Sequence, residues 1–418
     1  MENKVSVCII KADPENKFLE KTLQSLEENQ EFIDEIIFTG NENELPETDL
    51  EIKALNLESD NKAFLRNKAI ENAKNDLIFF ISNTTELEDT TLEEFLETLE
   101  ENEADIVYAN EVINTLENEE VIRNFSDWIG QEKTILQSLA IENHLPEFGI
   151  LVKKEIFKEL GKFDENFEDF EFYNFVYQNI NNLKLKLSDI SFITNYETDR
   201  FVDTSFNSKA LRDMIKKYDW KTEIFPSLNW KENESLAYAT AYSLIGKQLE
   251  KYHDFFNASE FYRKAMLIFH NQHTLLNLIN SYYNMGLFGE ALSLVNQEQG
   301  LNEKDIEAIV EKIKQSELLV KHIEKSIEEG HAYEILSSAG EIVQIYQGAP
   351  IYNILGIIYF VKNEIDTAYK FFYKAVIMNP LDEDILRNLV EVAKELGKEK
   401  KVESLINRII NKEQTLVS

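Results

Sequence analysis

The run Leu77-Ile78-Phe79-Phe80-Ile81 contains no polar residue. Its branched and aromatic side chains suit a short central strand covered on both faces. Just upstream, Phe64, Ala69, Ile70 and Ala73 recur at helical spacing, so a helix feeds this strand. The polar residues that follow it stand at the carboxyl end of a sheet, where open α/β folds bind ligands. Strands are also expected at residues 5–10, 34–38 and 105–112, and a further short one within 51–57. Between them, residues 17–26 form a helix with Phe18, Leu19, Thr22, Leu23 and Leu26 on one side. A further helix runs over 91–102, with Leu92, Phe95, Leu96 and Leu99 apolar. This alternation implies an α/β domain built on a mostly parallel sheet with right-handed crossovers.

The later part of this half is patterned less strongly. Residues 149–152 read as a strand, 154–160 as a helix, and Phe170, Tyr173, Phe175, Val176 and Tyr177 mark another helix. Residues 183–187 and 190–194 read as two late strands that pair, and 195–230 as an irregular tether. Trp128 and His144 fall in a weak loop-and-helix stretch, where His144 is a candidate for an acceptor pocket or an incidental loop residue.

From about Leu236 the pattern is helical only, and it repeats. Ala258, Tyr262 and Ala265 follow Gly246 at the same offsets as Ala368, Phe372 and Ala375 follow Gly356, and Pro380 closes the second unit. Small residues let two helices approach while the aromatics fill the next groove, so stacked units share one core. The spacing resembles the tetratricopeptide repeat. Partial units follow at Tyr282, Gly286 and Ala291 and around Leu386, Leu389, Ala393 and Gly397, whereas 305–346 lacks the small-residue spacing. The expected organisation is an α/β domain over 1–200, a linker over 201–234, and an all-α repeat solenoid over 235–418.

A length of 418 residues calls for two or three domains, and 43% apolar with 11% aromatic residues is enough to pack them. The net charge of −34 excludes a nucleic-acid surface, which needs a basic stripe. The lone cysteine, Cys8, excludes internal disulfides and a cysteine-held zinc, and reads as a buried strand residue. No secretory signal and no membrane-length segment is evident, so a cytoplasmic protein is expected. There is no glycine-rich phosphate loop, no histidine–carboxylate metal spacing and no nucleophile elbow.

The first half resembles family 2 glycosyltransferases with the GT-A nucleotide-sugar fold. The resemblance rests on Val5-Ser6-Val7-Cys8-Ile9-Ile10 with the helix after it and on Asp34-Glu35-Ile36-Ile37-Phe38. It rests also on Ala63-Phe64-Leu65-Arg66-Asn67, similar to that family's Ala-Arg-Asn helix, and on Gly161-Lys162-Phe163-Asp164-Glu165 leading to Glu168-Asp169. Members with carboxy-terminal tetratricopeptide repeats, including enzymes that glycosylate proteins, share this order. The resemblance implies a nucleotide-sugar donor, a catalytic base at Asp169 with Glu168 beside it, and donor contacts from Arg66, Asn67, Thr39, Ser82 and Thr84. It also implies a protein partner or acceptor on the repeats.

Two departures bear on activity. The second strand runs into Thr39-Gly40-Asn41 without the family's aspartate, and Ser82-Asn83-Thr84 stands where Asp-x-Asp would hold a divalent ion. Neutral oxygens are weak ligands for a hard cation beside phosphates, so manganese or magnesium is expected only if the chain is active, and no metal ligand is assigned. Glu86 and Glu88 are near enough in sequence to compensate. Each residue also has a structural alternative. Asp169 and Glu168 can serve a helix dipole, Arg66 an ion pair, and Trp128 and Tyr173 the core. Two functions therefore stay open. One is a hexosyltransferase-type enzyme acting on a protein or glycan acceptor. The other is an inactive pseudoenzyme serving as scaffold or partner subunit, with homodimer formation a further option.

Overall fold

The structure is a computed structural model that describes residues 4–125, 135–142, 145–297 and 303–410. The chain divides into two compact units, Met1–Pro226 and Ser227–Ser418. The first carries, in order, β1 (Val5–Ile10), α1 (Leu19–Glu28), β2 (Ile33–Phe38), β3 (Ile52–Ala54), α2 (Lys62–Asn72), β4 (Leu77–Ser82) and β5 (Thr85–Leu87). There follow α3 (Thr91–Glu101), β6 (Ile106–Asn114), β7 (Glu120–Arg123), α4 (Ile135–Ile141), β8 (Ile150–Lys153), α5 (Ile156–Glu159), α6 (Glu171–Asn179), β9 (Leu185–Tyr196) and α7 (Ser205–Lys217).

These strands form one sheet in the order β3-β2-β1-β4-β8-β6-β9-β5, with β7 paired on β6. The β3-β2-β1-β4 side is parallel, as the alternation predicts. The remainder is mixed. β8 lies antiparallel between β4 and β6, and β5 is antiparallel to β9. Gly149 turns the chain into β8 at φ +71°, and a Cβ there would meet Ile193 at 2.7 Å, so a larger residue is excluded on two counts. The two late strands predicted after residue 183 are instead one strand, β9, which runs parallel to β6 through a register shift. The stretch read as an irregular tether contains α7, which buries Phe206, Ala210, Leu211, Met214 and Ile215.

β4 is buried along its whole length. Its faces are filled differently. Phe79 packs edge-on to Phe95 of α3 at 5.5 Å, in a core shared with Leu19, Leu23 and Leu26 of α1. Phe80 meets Phe157 and Phe163 on the opposite face at 6.3 and 6.1 Å. Each such leucine or phenylalanine contributes about 1.5–3 kcal/mol by leaving water, which holds the helices on the sheet. Cys8 is free and wholly buried, and burial pushes its thiol pKa up.

Among the described residues of the second unit the regular elements are all helices. The unit comprises α8 (Glu234–Lys251), α9 (Phe255–Ile268), α10 (Gln272–Met285), α11 (Phe288–Gln297), α12 (Glu303–Glu328) and α13 (Ala332–Ser337). Then come α14 (Ala339–Ile345), α15 (Ala349–Val361), α16 (Ile365–Met378), α17 (Glu383–Glu395) and α18 (Glu399–Ile409). Gly246 of α8 lies against the Tyr262 ring of α9, and Gly356 of α15 against the Phe372 ring of α16. Residues 305–346 join the same core despite lacking the small-residue spacing: Ile313, Val320, Ile323 and Tyr346 pack with Tyr283, Phe288 and Ile354. Asn257 of α9 donates to the Ile409 carbonyl of α18 at 3.2 Å, bringing the first and last helix pairs of this unit together. No described helix is long and apolar enough to cross a membrane.

Candidate functional site

The carboxyl ends of β1, β2 and β4 converge on Thr39, Ser82, Asn83 and Thr84. The Ser82 hydroxyl lies 2.8 Å from both Thr84 Oγ1 and Thr85 Oγ1, and Thr85 donates in turn to Asn195 Oδ1 at 2.7 Å. Asn83 is fully buried. Its Oδ1 accepts from the amides of Ala12 and Asp13 at 2.8 and 2.9 Å, and its Nδ2 donates to the Asp13 carbonyl and Asn16 Oδ1. Thr39 Oγ1 accepts from the Lys11 amide at 2.9 Å, while Lys11 Nζ pairs with Glu44 at 2.6 Å. The side-chain polar atoms of Thr39, Ser82, Asn83 and Thr84 are all hydrogen-bonded to their neighbours, so the set fastens three strand ends together.

A divalent ion does not fit this donor set. The oxygens at Ser82 and Thr84 are neutral hydroxyls already hydrogen-bonded to each other, and a hard cation beside phosphates wants carboxylate charge. The Glu86 carboxylate accepts from the Tyr196 hydroxyl, and Glu88 is exposed in the turn before α3, where its amide donates to Thr91 Oγ1. Among the described residues no group of three or more His, Cys, Asp or Glu side chains is placed to hold a metal.

A second cluster forms around α2 and the start of α6. Lys62 and Arg66 stand one helical turn apart and both are buried. Arg66 pairs through Nε with Glu171, donates from Nη2 to the Glu147 carbonyl at 2.5 Å, and lies over Phe148 and Phe80 at 4.8 and 5.1 Å. Asn67 exchanges hydrogen bonds with the Phe163 backbone, Nδ2 to O at 2.9 Å and N to Oδ1 at 3.1 Å, and so clamps the turn at Gly161. Lys62 Nζ is 2.8 Å from Glu147 and 3.1 Å from Asp169, and Arg200 Nη2 is 2.5 Å from the same Asp169 oxygen. Phe170 holds a left-handed backbone, φ +59°, between Asp169 and α6. For an aromatic residue that costs about 1–2 kcal/mol, which the cluster's contacts must offset.

Three cations, Lys62, Arg66 and Arg200, thus face three carboxylates, Glu147, Asp169 and Glu171. Balance of charge is what makes such burial tolerable. Burial alone would raise the Asp169 pKa, but Lys62 and Arg200 outweigh it and hold the carboxyl below its ordinary value. Lys62 shows the converse: burial opposes its charge, and Glu147 and Asp169 more than restore it. Hydrogen-bonding capacity is left over. Arg66 Nη1, Glu147 Oε1 and Glu171 Oε2 are buried with no partner among the described residues.

The predicted residues therefore separate into two groups. Asp169, Glu168, Arg66 and Asn67 gather where α2 meets the turn before α6, the Glu168 carbonyl accepting from the Lys62 amide at 3.0 Å. Thr39, Ser82 and Thr84 stay at the strand ends. β9 links the groups, because the Tyr196 amide donates to the Thr84 carbonyl at 2.9 Å and Arg200 follows shortly after. Tyr173 lies in the core with its hydroxyl on the Leu145 carbonyl. Trp128 and His144 lie outside the described residues. Lys62, Glu147, Glu171 and Arg200 were not legible beforehand. A second cation one turn before Arg66 was the available signal for Lys62, and Arg200 stood in a stretch without periodicity.

Comparison with known proteins bears on the first unit. A family model described as Glycosyl transferase family 2 matches residues 7–161. The GT-A-like, family 2 type of fold is thereby supported for this part of the chain. No curated protein matches the chain. Among solved structures, S. aureus TarS aligns at 14% identity and TM-score 0.42, covering 75% of this chain and only 55% of its own. Its 1–349 portion in complex with UDP-GlcNAc aligns at 15% identity and TM-score 0.43, covering 75% of this chain and 91% of that one. GalNAc-T7 with UDP, GalNAc and Mn2+ aligns at 14% identity and TM-score 0.41, over 63% of this chain and 54% of that one. These TM-scores are too low for the likeness to bear on this chain's chemistry.

Proposed function

We propose that this protein is a family 2-type glycosyltransferase that moves a sugar from a nucleotide-sugar to a protein or glycan acceptor. The observation that carries the reading is Asp169, a buried carboxylate held ionised between Lys62 and Arg200 beside the family-matched segment. In this reading an acceptor hydroxyl oxygen bonds to the anomeric carbon. The bond from that carbon to the diphosphate oxygen breaks, its electron pair leaving on the diphosphate. The acceptor's proton passes to the Asp169 carboxylate. Ionisation at neutral pH is the property such a base requires. The helical unit, read as tetratricopeptide repeats over 235–418, would present the acceptor or a partner, or pair two copies of the chain.

A second reading, a pseudo-glycosyltransferase serving as scaffold, is favoured by the self-satisfied neutral network at Ser82, Asn83 and Thr84. Calorimetric titration with UDP- and GDP-sugars separates the two. The transferase reading expects donor binding and measurable transfer, with Asp169→Asn lowering the rate by about 10²–10⁴. Flat titrations across all donors would sink it. The scaffold reading expects flat titrations in the wild type and manganese-dependent nucleotide binding only after Ser82→Asp with Thr84→Asp.

A further inference from the structure

We infer that Arg200 is the receptor for the donor's diphosphate, so that donor binding needs no divalent ion and itself uncovers Asp169 as the base. This rests on the transferase reading above. Its starting point is the disagreement at the strand ends, where the residues do not suit a metal. A diphosphate still needs positive charge, and an arginine fork supplies it to two oxygens at once.

Arg200 has the right placement and freedom. It lies shortly after β9, whose last residue is hydrogen-bonded to Thr84. Its side chain is 20% exposed, against 7% for Asp169 and 3% for Lys62, so it is the member of the trio that an incoming ligand reaches first. Among the described residues its hydrogen bonding is the single Nη2 contact to Asp169, which leaves the other guanidinium donors for a ligand. Lys62 is anchored differently. It keeps Glu147 at 2.8 Å when Asp169 is released, and Glu147 Oε1 has an unused lone pair beside it.

The exchange has a consequence for proton affinity. In the resting protein Asp169 is ionised but a poor base, because two cations stabilise its anion. A diphosphate that draws Arg200 away removes one of these cations and adds negative charge nearby. Both changes raise the proton affinity of Asp169, with Lys62 and the neighbouring Glu147 and Glu171 still in place. The base is thus strengthened only when donor is bound, which limits wasteful chemistry in the resting state.

The test uses the full chain titrated calorimetrically with UDP and with inorganic pyrophosphate, in EDTA and in manganese. The expected result is equal affinity in both media, and at least tenfold weaker binding of both probes to Arg200→Gln. Asp169→Asn gives the decisive sign. Removing the carboxylate that competes for Arg200 should tighten pyrophosphate binding several-fold while transfer falls by about 10²–10⁴. A purely structural Asp169–Arg200 pair predicts unchanged or weaker binding, and that outcome overturns the inference, as does an unaltered affinity in Arg200→Gln. Binding that appears only with manganese overturns it too, but leaves the transferase reading standing. No binding of either probe under any condition overturns both.

Discussion

Glu111 shows how a single carboxyl can set a pH dependence. It sits on β6 with its Oε1 accepting from Asn195 at 2.7 Å and Arg123 3.8 Å from its other oxygen. Burial pushes its pKa up to about 7, Arg123 and Asn195 only partly opposing and Glu147 adding to the rise. The folded state therefore binds a proton that the unfolded chain has released, across pH 4.5 to about 7. Stability must fall as pH rises through that window, by up to about 3 kcal/mol. Glu111→Gln should match the wild type in urea denaturation at pH 5 and exceed it at pH 8 by about 2–3 kcal/mol. Equal stability of the two proteins at both pH values would show that Arg123 already compensates. At the same scale, the candidate site was half legible in the sequence. Arg66, Asn67, Glu168 and Asp169 stand in recognisable motifs, whereas Glu147 and Arg200 are ordinary charged residues in unpatterned chain. Only the partner across the fold gives them a role.

Elements were more legible than residues. β4 declares itself because a strand buried on both faces must be apolar at every position, and α1 and α3 because a single buried face repeats with the helical turn. β9 and α7 did not declare themselves. A bulged strand loses the alternation that would join its halves, and α7 carries Asn207, Ser208 and Arg212 on its buried side. In the helical unit the informative positions are the small ones. A Cβ on Gly246 would lie 2.7 Å from the Tyr262 ring, and one on Gly356 2.5 Å from the Phe372 ring. Both rings are buried and have no room to retreat. Gly246→Val and Gly356→Val should each cost about 2–3 kcal/mol, read by denaturation followed at the helical circular dichroism signal. Unchanged midpoints would mean that the helix pairs tolerate separation.

At the scale of the whole molecule, each unit has its own apolar core, one around β4 and α1, the other around Tyr283 and Tyr346. Scanning calorimetry should therefore resolve two transitions. Gly356→Val should lower the transition of the helical unit by several degrees and leave the other in place, and a single shared shift would show that the units unfold together. The net charge of −34 lies on the same chain as the buried, charge-balanced cluster. Composition described the surface, therefore, and misdescribed the interior.

The strands β1, β2, β4 and β6 with the helices between them, the helical character of the second unit, and the neutral residues Ser82, Asn83 and Thr84 after β4 were legible in the sequence alone. All three are local properties, readable from a residue and its near neighbours. The tertiary structure decided the rest. It inserted β8 antiparallel beside β4, turned Ser82, Asn83 and Thr84 inward as a fastening, and brought Arg200 onto Asp169 across a separation of 31 residues. Charge pairing over such distances depends on how the chain is routed, and periodicity carries no information about routing.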